Sequence, residues 1–131
     1  MQCRIAYKKI FIAYKMGNLT THILDTAAGR PAAGVRITAY ADRNGWIELA
    51  ESVTNADGRC DAPLLHGNKL AFGRYRLVFH IGPYFRSQGH DTGSLMFLDD
   101  VPVEFGVADP SLHYHVPLLI TPWSYATYRG S

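Results

Sequence analysis

VRITAYADRNGWIELAESVT, residues 35–54, is the stretch that decides the fold class. Two segments rich in β-branched and aromatic residues flank Asn44-Gly45, a pair that adopts the positive φ angles of a tight hairpin turn. The stretch therefore predicts one strand over Val35–Asp42 and a second over Trp46–Thr54. Short segments of the same composition, separated by glycine, proline, asparagine and aspartate, recur along the chain, whereas helical periodicity is nearly absent. This spacing favours an all-β sandwich.

The same pattern predicts six further strands and one short helix, which fits best within Pro83–Gly89. Pro117 is an objection to one of these strands, because proline has no N–H to donate to a ladder and usually occupies an edge or a bulge. The sequence around Pro117 is nevertheless predicted to form a strand. The six strands are Leu19–Thr26, Lys69–Ala71, Arg74–Ile81, Val101–Val107, His113–Ile120 and Ser124–Tyr128.

Length and composition indicate one globular domain. The chain has 131 residues, of which 47% are hydrophobic and 18% are charged, and a chain of this size buries about two thirds of its surface on folding. We expect a domain over residues 18–131, preceded by an extension over residues 1–17 of unclear role. No apolar run approaches the roughly 20 residues that cross a bilayer, so no membrane span is expected.

The charge distribution argues against nucleic acid as a partner. Four of the 13 cationic residues lie in the first sixteen positions, and the rest of the chain has nine cations against 11 acids. Such a balance offers no basic stripe for a phosphate backbone. Cys3 and Cys60 are too few for a disulfide framework and have no zinc-ligand spacing. With no clear signal peptide in residues 1–17, these features predict a cytoplasmic protein.

Strand alternation groups polar and titratable side chains on three strand faces. Successive side chains point to opposite faces of a strand, which puts His22 on the face of Thr20 and His115 on the face of His113. The last predicted strand presents Tyr128 together with two small residues, Ser124 and Ala126. If the three faces adjoin, they line one polar groove on a sheet.

Histidine suits proton transfer at neutral pH because its unperturbed pKa is near 6.5. A positioned acid or base contributes about 100-fold to 10,000-fold in rate. Two alternatives remain open on spacing alone: that His22 and His115 are half-exposed strand residues, or that they bind zinc together with His113. Residues at i and i+2 on a strand are a weak zinc signal.

Arg59 follows the predicted turn at Asp57-Gly58. A guanidinium group pairs with two acceptors at once and so suits a planar, oxygen-rich substrate, although most arginines beside turns are simply solvated. Cys60 lacks any neighbouring cue for thiolate stabilisation and is not predicted to be a nucleophile. Asp99-Asp100 is interpreted as a solvated pair, because neighbouring side chains on an extended chain point apart.

Three separated motifs resemble those of the 5-hydroxyisourate hydrolase family, also called transthyretin-related proteins. The first is LTTHILD at 19–25 followed by GRPA at 29–32, and the second is TNADGR at 54–59. The third is HYHVPLL at 113–119, which leads to YRGS at 128–131. The resemblance covers residues 19–131, and its last two elements are the most particular to the hydrolases.

The resemblance implies a transthyretin-like (prealbumin-like) sandwich of two β-sheets with one short helix. It implies hydrolysis of 5-hydroxyisourate to 2-oxo-4-hydroxy-4-carboxy-5-ureidoimidazoline in urate and purine breakdown, with no organic cofactor. No residue is predicted to be a metal ligand, and metal occupancy stays open. It further implies a homotetramer, built as a dimer of dimers that encloses a channel with active sites at its ends. The small-molecule substrate would be the only partner besides copies of the chain.

Matched position by position, the family's catalytic residues fall on His22, Arg59 and His115, and its substrate-binding residues on Tyr128 and Ser131. Under this interpretation one or both histidines accept a proton from water, and Arg59 stabilises the developing negative charge. Which histidine is the base stays open. Two rival hypotheses are a carrier of a small aromatic ligand and a sandwich module that mediates protein contacts.

Overall fold

Nine strands and one short α-helix are present in the computed structural model, which describes residues 16–90 and 93–131. The predicted extension therefore lies almost wholly outside the described residues. The elements are β1 (Asn18–Asp25), β2 (Arg30–Pro31), β3 (Arg36–Asp42), β4 (Trp46–Val53), β5 (Leu65–His66), β6 (Gly73–His80), α1 (Ile81–Ser87), β7 (Asp100–Val107), β8 (Tyr114–Ile120) and β9 (Tyr125–Thr127).

The strands form two sheets that pack face to face, which confirms the predicted two-sheet sandwich with one short helix. The first sheet has the order β2-β1-β8-β9, with β5 also paired to β1, and the second has the order β4-β3-β6-β7. β1 and β8 are parallel, in a register that runs from Leu19 opposite Tyr114 to Asp25 opposite Ile120. This pairing brings the first and third sequence motifs side by side.

The core lies between the two sheets, so the outer face of β1 points away from the core. Buried and half-buried residues alternate along β1, where Leu19 and Ile23 are fully buried. Thr20 and His22 consequently share the outer face, as alternation predicts. The core residues that are wholly inaccessible include Leu19, Ile23, Ile37, Ala39, Leu77, Phe79, Leu118 and Ile120.

The hairpin predicted at Asn44-Gly45 is confirmed. Both residues have positive φ angles, 61° at Asn44 and 126° at Gly45, and the Gly45 N–H donates to the Asp42 carboxylate over 3.2 Å. β3 and β4 pair on either side of this turn, with a register shift at Ala39/Tyr40.

The predicted strand at Lys69–Ala71 is wrong. A 3₁₀ turn occupies Gly67–Lys69 instead, and the strand lies just before it, where β5 pairs with the start of β1. The Tyr75 hydroxyl donates to the Lys69 carbonyl and accepts the Ala71 N–H at 2.7 Å. Backbone groups that a ladder would otherwise use are thus bonded to a side chain. The two-residue strands β2 and β5 were not predicted.

The helix predicted within Pro83–Gly89 is present but begins two residues earlier, directly after β6. It has seven residues. Across residues 16–90 and 93–131, no helix is long and apolar enough to cross a membrane.

Pro117 lies within β8, and its position explains why the strand tolerates it. The ladder between β8 and β9 ends at the pair Leu118 and Thr127. Pairing resumes only as an isolated bridge between His115 and Gly130. Pro117 therefore lies in an interruption of this ladder, and its carbonyl accepts the Thr127 hydroxyl over 2.7 Å.

Candidate active site

An open cleft of about 610 Å³ lies against the outer face of β1 and β8. All five residues predicted from sequence to act on a substrate line this cleft. Three further residues line it as well. The complete lining consists of Thr20, His22, Arg59, His113, His115, Tyr128, Gly130 and Ser131.

His22 is held in the cleft by the turn that follows β4. Its Nε2 lies 2.9 Å from the main-chain carbonyl oxygen of Asp57. A carbonyl oxygen only accepts hydrogen bonds, so Nε2 carries a proton and donates. The adjacent Ile23 N–H donates to the Gly58 carbonyl over 2.8 Å, which docks the whole turn on β1. Neutral His22 therefore has its lone pair on Nδ1.

Arg59 enters the cleft from the same turn, whose shape depends on Asn55. The Asn55 side-chain oxygen accepts the N–H groups of Asp57, at 2.9 Å, and Arg59, at 3.2 Å. The Asn55 N–H in turn donates to the Arg59 carbonyl over 2.7 Å. Within the described part of the chain the exposed Arg59 guanidinium forms no ion pair, so its charge is available to an anionic group in the cleft.

Gly58 makes this docking possible. Its φ angle is +75°, and a Cβ added there would lie 2.4 Å from the Ile23 carbonyl oxygen. Only a residue without a side chain allows the turn to approach β1 this closely. The sequence feature Asp57-Gly58 thus does more than reverse the chain, because it sets the distance between Arg59 and His22.

His115 is held in the cleft by contacts of its ring and of its main chain. Its Nδ1 lies 2.8 Å from the Thr20 hydroxyl oxygen across the parallel pair, and its carbonyl accepts the Gly130 N–H over 2.8 Å. Burial lowers the pKa of His115, and the nearby charges of Arg59 and His22 lower it further, whereas hydrogen bonding to the Thr20 backbone acts in the opposite direction. At pH 7 the ring is therefore neutral.

We expect the His115 ring to titrate with a midpoint below 6.5, the ordinary histidine value. Replacing Arg59 by glutamine removes a cation that disfavours protonation, so the midpoint should rise. Proton NMR of the ring C–H signals measures both midpoints. Arg36→Gln on the second sheet is the matched control and should leave the midpoint unchanged. An unshifted midpoint in Arg59→Gln contradicts the prediction.

The segment after β9 closes one side of the cleft. The Arg129 guanidinium lies 4.5 Å from the centre of the Tyr114 ring, a cation–π contact that anchors the segment to β8. Tyr128 is 61% exposed. Gly130 packs on the His115 ring so closely that an added Cβ would lie 2.6 Å from its Cδ2 atom.

A family model described as "HIUase/Transthyretin family" matches residues 19–130, almost the whole described chain. The chain belongs to this family. It is 53% identical over 118 residues to 5-hydroxyisourate hydrolase 2 of Rhizobium meliloti (strain 1021), a match that covers 89% of this chain and 98% of that relative. The family resemblance inferred from the three motifs is confirmed.

Two solved structures show how widely this fold is used within the HIUase/Transthyretin family. The 5-hydroxyisourate hydrolase of Klebsiella pneumoniae is 35% identical, with a TM-score of 0.75, covering 88% of this chain and all of that one. Sea bream transthyretin in complex with thyroxine is 30% identical, with a TM-score of 0.77, covering 86% and 94%. The fold alone therefore does not separate a hydrolase from a protein that binds thyroxine.

The zinc alternative receives no support from the geometry of this family member. Within residues 16–90 and 93–131, no three His, Cys, Asp or Glu side chains are grouped so that they could hold a metal ion. The Nδ1 of His113 instead accepts the Asn18 N–H over 3.1 Å. The predicted absence of metal ligands stays a prediction.

Cys60 lies beside the cleft but is poorly suited to attack a substrate. Burial raises the pKa of the Cys60 thiol, a hydrogen bond with Ser52 opposes this, and the Asp61 charge raises the pKa further. The thiolate is the nucleophilic form of cysteine, so these surroundings disfavour the reactive state. They agree with the prediction that Cys60 is not a nucleophile.

Sequence reasoning missed three features of this site. Alternation placed Thr20 beside His22 but did not reveal its hydrogen bond with His115, because the parallel register was unknown. Gly130 lies in the YRGS motif, but the motif does not reveal that this glycine packs against the His115 ring. Asp57 contributes its main-chain carbonyl group to the site, and because every residue has this group the sequence gives no signal for it.

His66, His80 and His90 do not line the cleft, and His80 pairs with Asp100 at 2.8 Å.

Proposed function

We propose that this chain hydrolyses 5-hydroxyisourate to 2-oxo-4-hydroxy-4-carboxy-5-ureidoimidazoline. One observation carries the proposal: His22, Arg59 and His115, from three distant segments, line one open cleft. Relatives such as that of Rhizobium meliloti, 53% identical over nearly their full length, are named 5-hydroxyisourate hydrolase. A cleft with two imidazoles and an exposed guanidinium suits water attack on a polar ring.

His115 acts as the general base in this proposal. Its lowered pKa keeps the ring neutral at pH 7, so it can accept a proton from water while the water oxygen attacks the carbonyl carbon of a cyclic amide. The Nε2 of His22 is committed to the Asp57 carbonyl. His22 therefore fits better as a second polar group that orients water or substrate.

Arg59 stabilises the negative charge that develops on the attacked carbonyl oxygen. The carbon–nitrogen bond of the ring then breaks, and the proton held by His115 passes to the leaving nitrogen. The carbonyl carbon becomes a carboxylic acid, which ionises to the carboxylate and releases the second proton of the water to solvent. Tyr128 and Ser131 border the cleft and orient the substrate. Every proton is accounted for without an oxidant, a reductant or a cofactor.

The rival function is transport of an aromatic ligand, since sea bream transthyretin in complex with thyroxine has nearly the same fold. The lining of the cleft favours the hydrolase, because burying two histidines and an arginine against an apolar ligand is costly. An ultraviolet assay with freshly generated 5-hydroxyisourate, corrected for spontaneous decay, separates the two functions. Accelerated decay supports the proposal, and decay at the spontaneous rate refutes it.

A homotetramer, arranged as a dimer of dimers, is part of the proposal. The edge strand β9 and the residues on either side of it include Trp123, Tyr125 and Tyr128, which are 59%, 44% and 61% exposed. Clustered exposed aromatic side chains mark interaction surfaces. Size-exclusion chromatography with light scattering tests this assembly, and a monomer at micromolar concentration would contradict it. The cytoplasmic location stays a prediction.

Gly130→Ala should lower kcat about 10-fold or more while the protein stays folded. The new Cβ would approach the Cδ2 of His115 and, at 3.3 Å, the ring of Pro117. The imidazole must then move away from its working position, and small misplacements near the reacting atoms cost up to about 100-fold. Steady-state kinetics and thermal unfolding measure the two effects. The control Gly106→Ala adds a methyl that meets nothing within 4 Å and should match the wild type.

A further inference from the structure

We infer that Thr20 is a positioning residue that holds the His115 ring with its proton on Nδ1 and leaves Nε2 as the acceptor. The inference rests on the proposed function, in which His115 is the general base. The Thr20 hydroxyl thus keeps that base in the form that can accept a proton, and it does so without touching the substrate.

The geometry of the parallel strand pair brings the two groups together. Thr20 lies opposite His115 in the register of β1 and β8, and both side chains are on the cleft face of the sheet. The hydroxyl oxygen and Nδ1 are 2.8 Å apart. Both strands belong to the regular ladder, so this spacing is set by backbone pairing and not by a mobile loop.

The opposite edge of the ring is held as well. Gly130 packs against Cδ2, and its N–H donates to the His115 carbonyl. With Nδ1 against Thr20 and Cδ2 against Gly130, the imidazole plane has little freedom to rotate. Nε2 is then the nitrogen left for a water molecule in the cleft.

The position of the proton follows from the role of Nε2 in the cleft. A hydroxyl can donate or accept, so the side-chain contact alone allows either tautomer. In the proposed function Nε2 accepts the proton from water, and a neutral imidazole carries only one N–H. The proton of the neutral ring is then on Nδ1, and the Thr20 hydroxyl oxygen, 2.8 Å away, accepts a hydrogen bond from it.

The neighbouring threonine shows that this contact is distinctive. Thr21 is 2% exposed and donates its hydroxyl to the Val116 carbonyl over 2.6 Å on the core side, which is a purely structural bond. Thr20 instead points into the cleft. The charged or titratable side chains that share the cleft and the adjoining pocket with His115 are His22, Arg59, His113, Tyr114, Tyr128, Glu104 and Arg129.

Thr20→Val removes the hydroxyl and keeps the branched shape, whereas Thr20→Ser keeps the hydroxyl. We expect Thr20→Val to lower kcat about 10- to 100-fold, less than loss of the base itself, with KM within about threefold because ground-state binding is untouched. The acid limb of the kcat profile should move to lower pH, since the protonated ring loses an acceptor. Thr20→Ser should restore the wild-type values.

Nitrogen NMR of histidine-labelled protein reads the tautomer directly. We expect His115 to be protonated on Nδ1 in the wild type and in Thr20→Ser, and to lose this preference in Thr20→Val. The control is Thr26→Val, which removes a 3.2 Å bond to the Ile120 carbonyl at the far end of the same strand pair and should change neither measurement.

The inference is overturned if Thr20→Val keeps the His115 tautomer of the wild type and the acid limb of its kcat profile does not move. An Nδ1 that is unprotonated in the wild type overturns it as well. The tautomer measurement needs no substrate, so it decides the inference even if the wild-type protein fails to hydrolyse 5-hydroxyisourate. That second failure would instead refute the proposed function.

Discussion

Replacing His115 by alanine should lower kcat for 5-hydroxyisourate by at least about 100-fold, the lower end of the contribution of a general base. The substitution removes the ring whose pKa is lowered by burial and by Arg59 and His22, so no neutral imidazole remains opposite Thr20. KM should change little, because the ring acts on water and not on the bound substrate.

Steady-state kinetics by ultraviolet absorption measures this effect. The matched control is His66→Ala, which removes an exposed histidine outside the cleft and should retain wild-type kcat. Circular dichroism should show that both variants are folded. Substantial activity in His115→Ala would rule out His115 as the base and transfer that role to His22.

Gly58→Ala should damage both stability and activity. Alanine at a φ angle of +75° costs about 1–2 kcal/mol, and the clash with the Ile23 carbonyl oxygen adds about 1–3 kcal/mol, as overpacking does. The free energy of unfolding should fall by about 2–5 kcal/mol, or roughly 8–20 °C in Tm. Catalysis should fall as well, because the turn that positions Arg59 is displaced from His22.

Gly29→Ala separates conformational strain from the clash. Gly29 has nearly the same φ angle, +73°, but an added Cβ meets nothing within 4 Å. Its Tm should fall only by the part due to the φ angle, and its kcat should stay at the wild-type value. Thermal unfolding and kinetics on both variants make the comparison. Equal losses in the two would show that close packing of the turn on β1 is unimportant.

Local features of the fold followed directly from local sequence. Asn44-Gly45 predicted its hairpin because positive φ angles are favourable for few residue pairs. Alternation placed Thr20 and His22 on the open face of β1 because the opposite residues are apolar enough to form the core. Such inferences need only the nearest neighbours in the chain, and they succeeded.

Features that depend on distant segments did not follow. Nothing in residues 65–71 reveals that the Tyr75 hydroxyl bonds the backbone there, and the predicted strand was misplaced for that reason. The parallel register that joins Thr20 to His115 is likewise invisible in either strand alone. The convergence of Arg59 with both histidines came from the family resemblance, since spacing left each of them with an ordinary structural explanation.

The parallel pairing of β1 with β8 also determines when in folding the cleft can exist. Thr20 and His115 are 95 positions apart, and contacts between such distant positions form slowly because a long loop must close first. A nascent chain that has emerged only as far as β7 has Thr20, His22 and Arg59 but lacks His115 and the residues after β9 that line the cleft. We therefore expect hydrolysis to begin only after the last strands have docked, with no partially active folding intermediate.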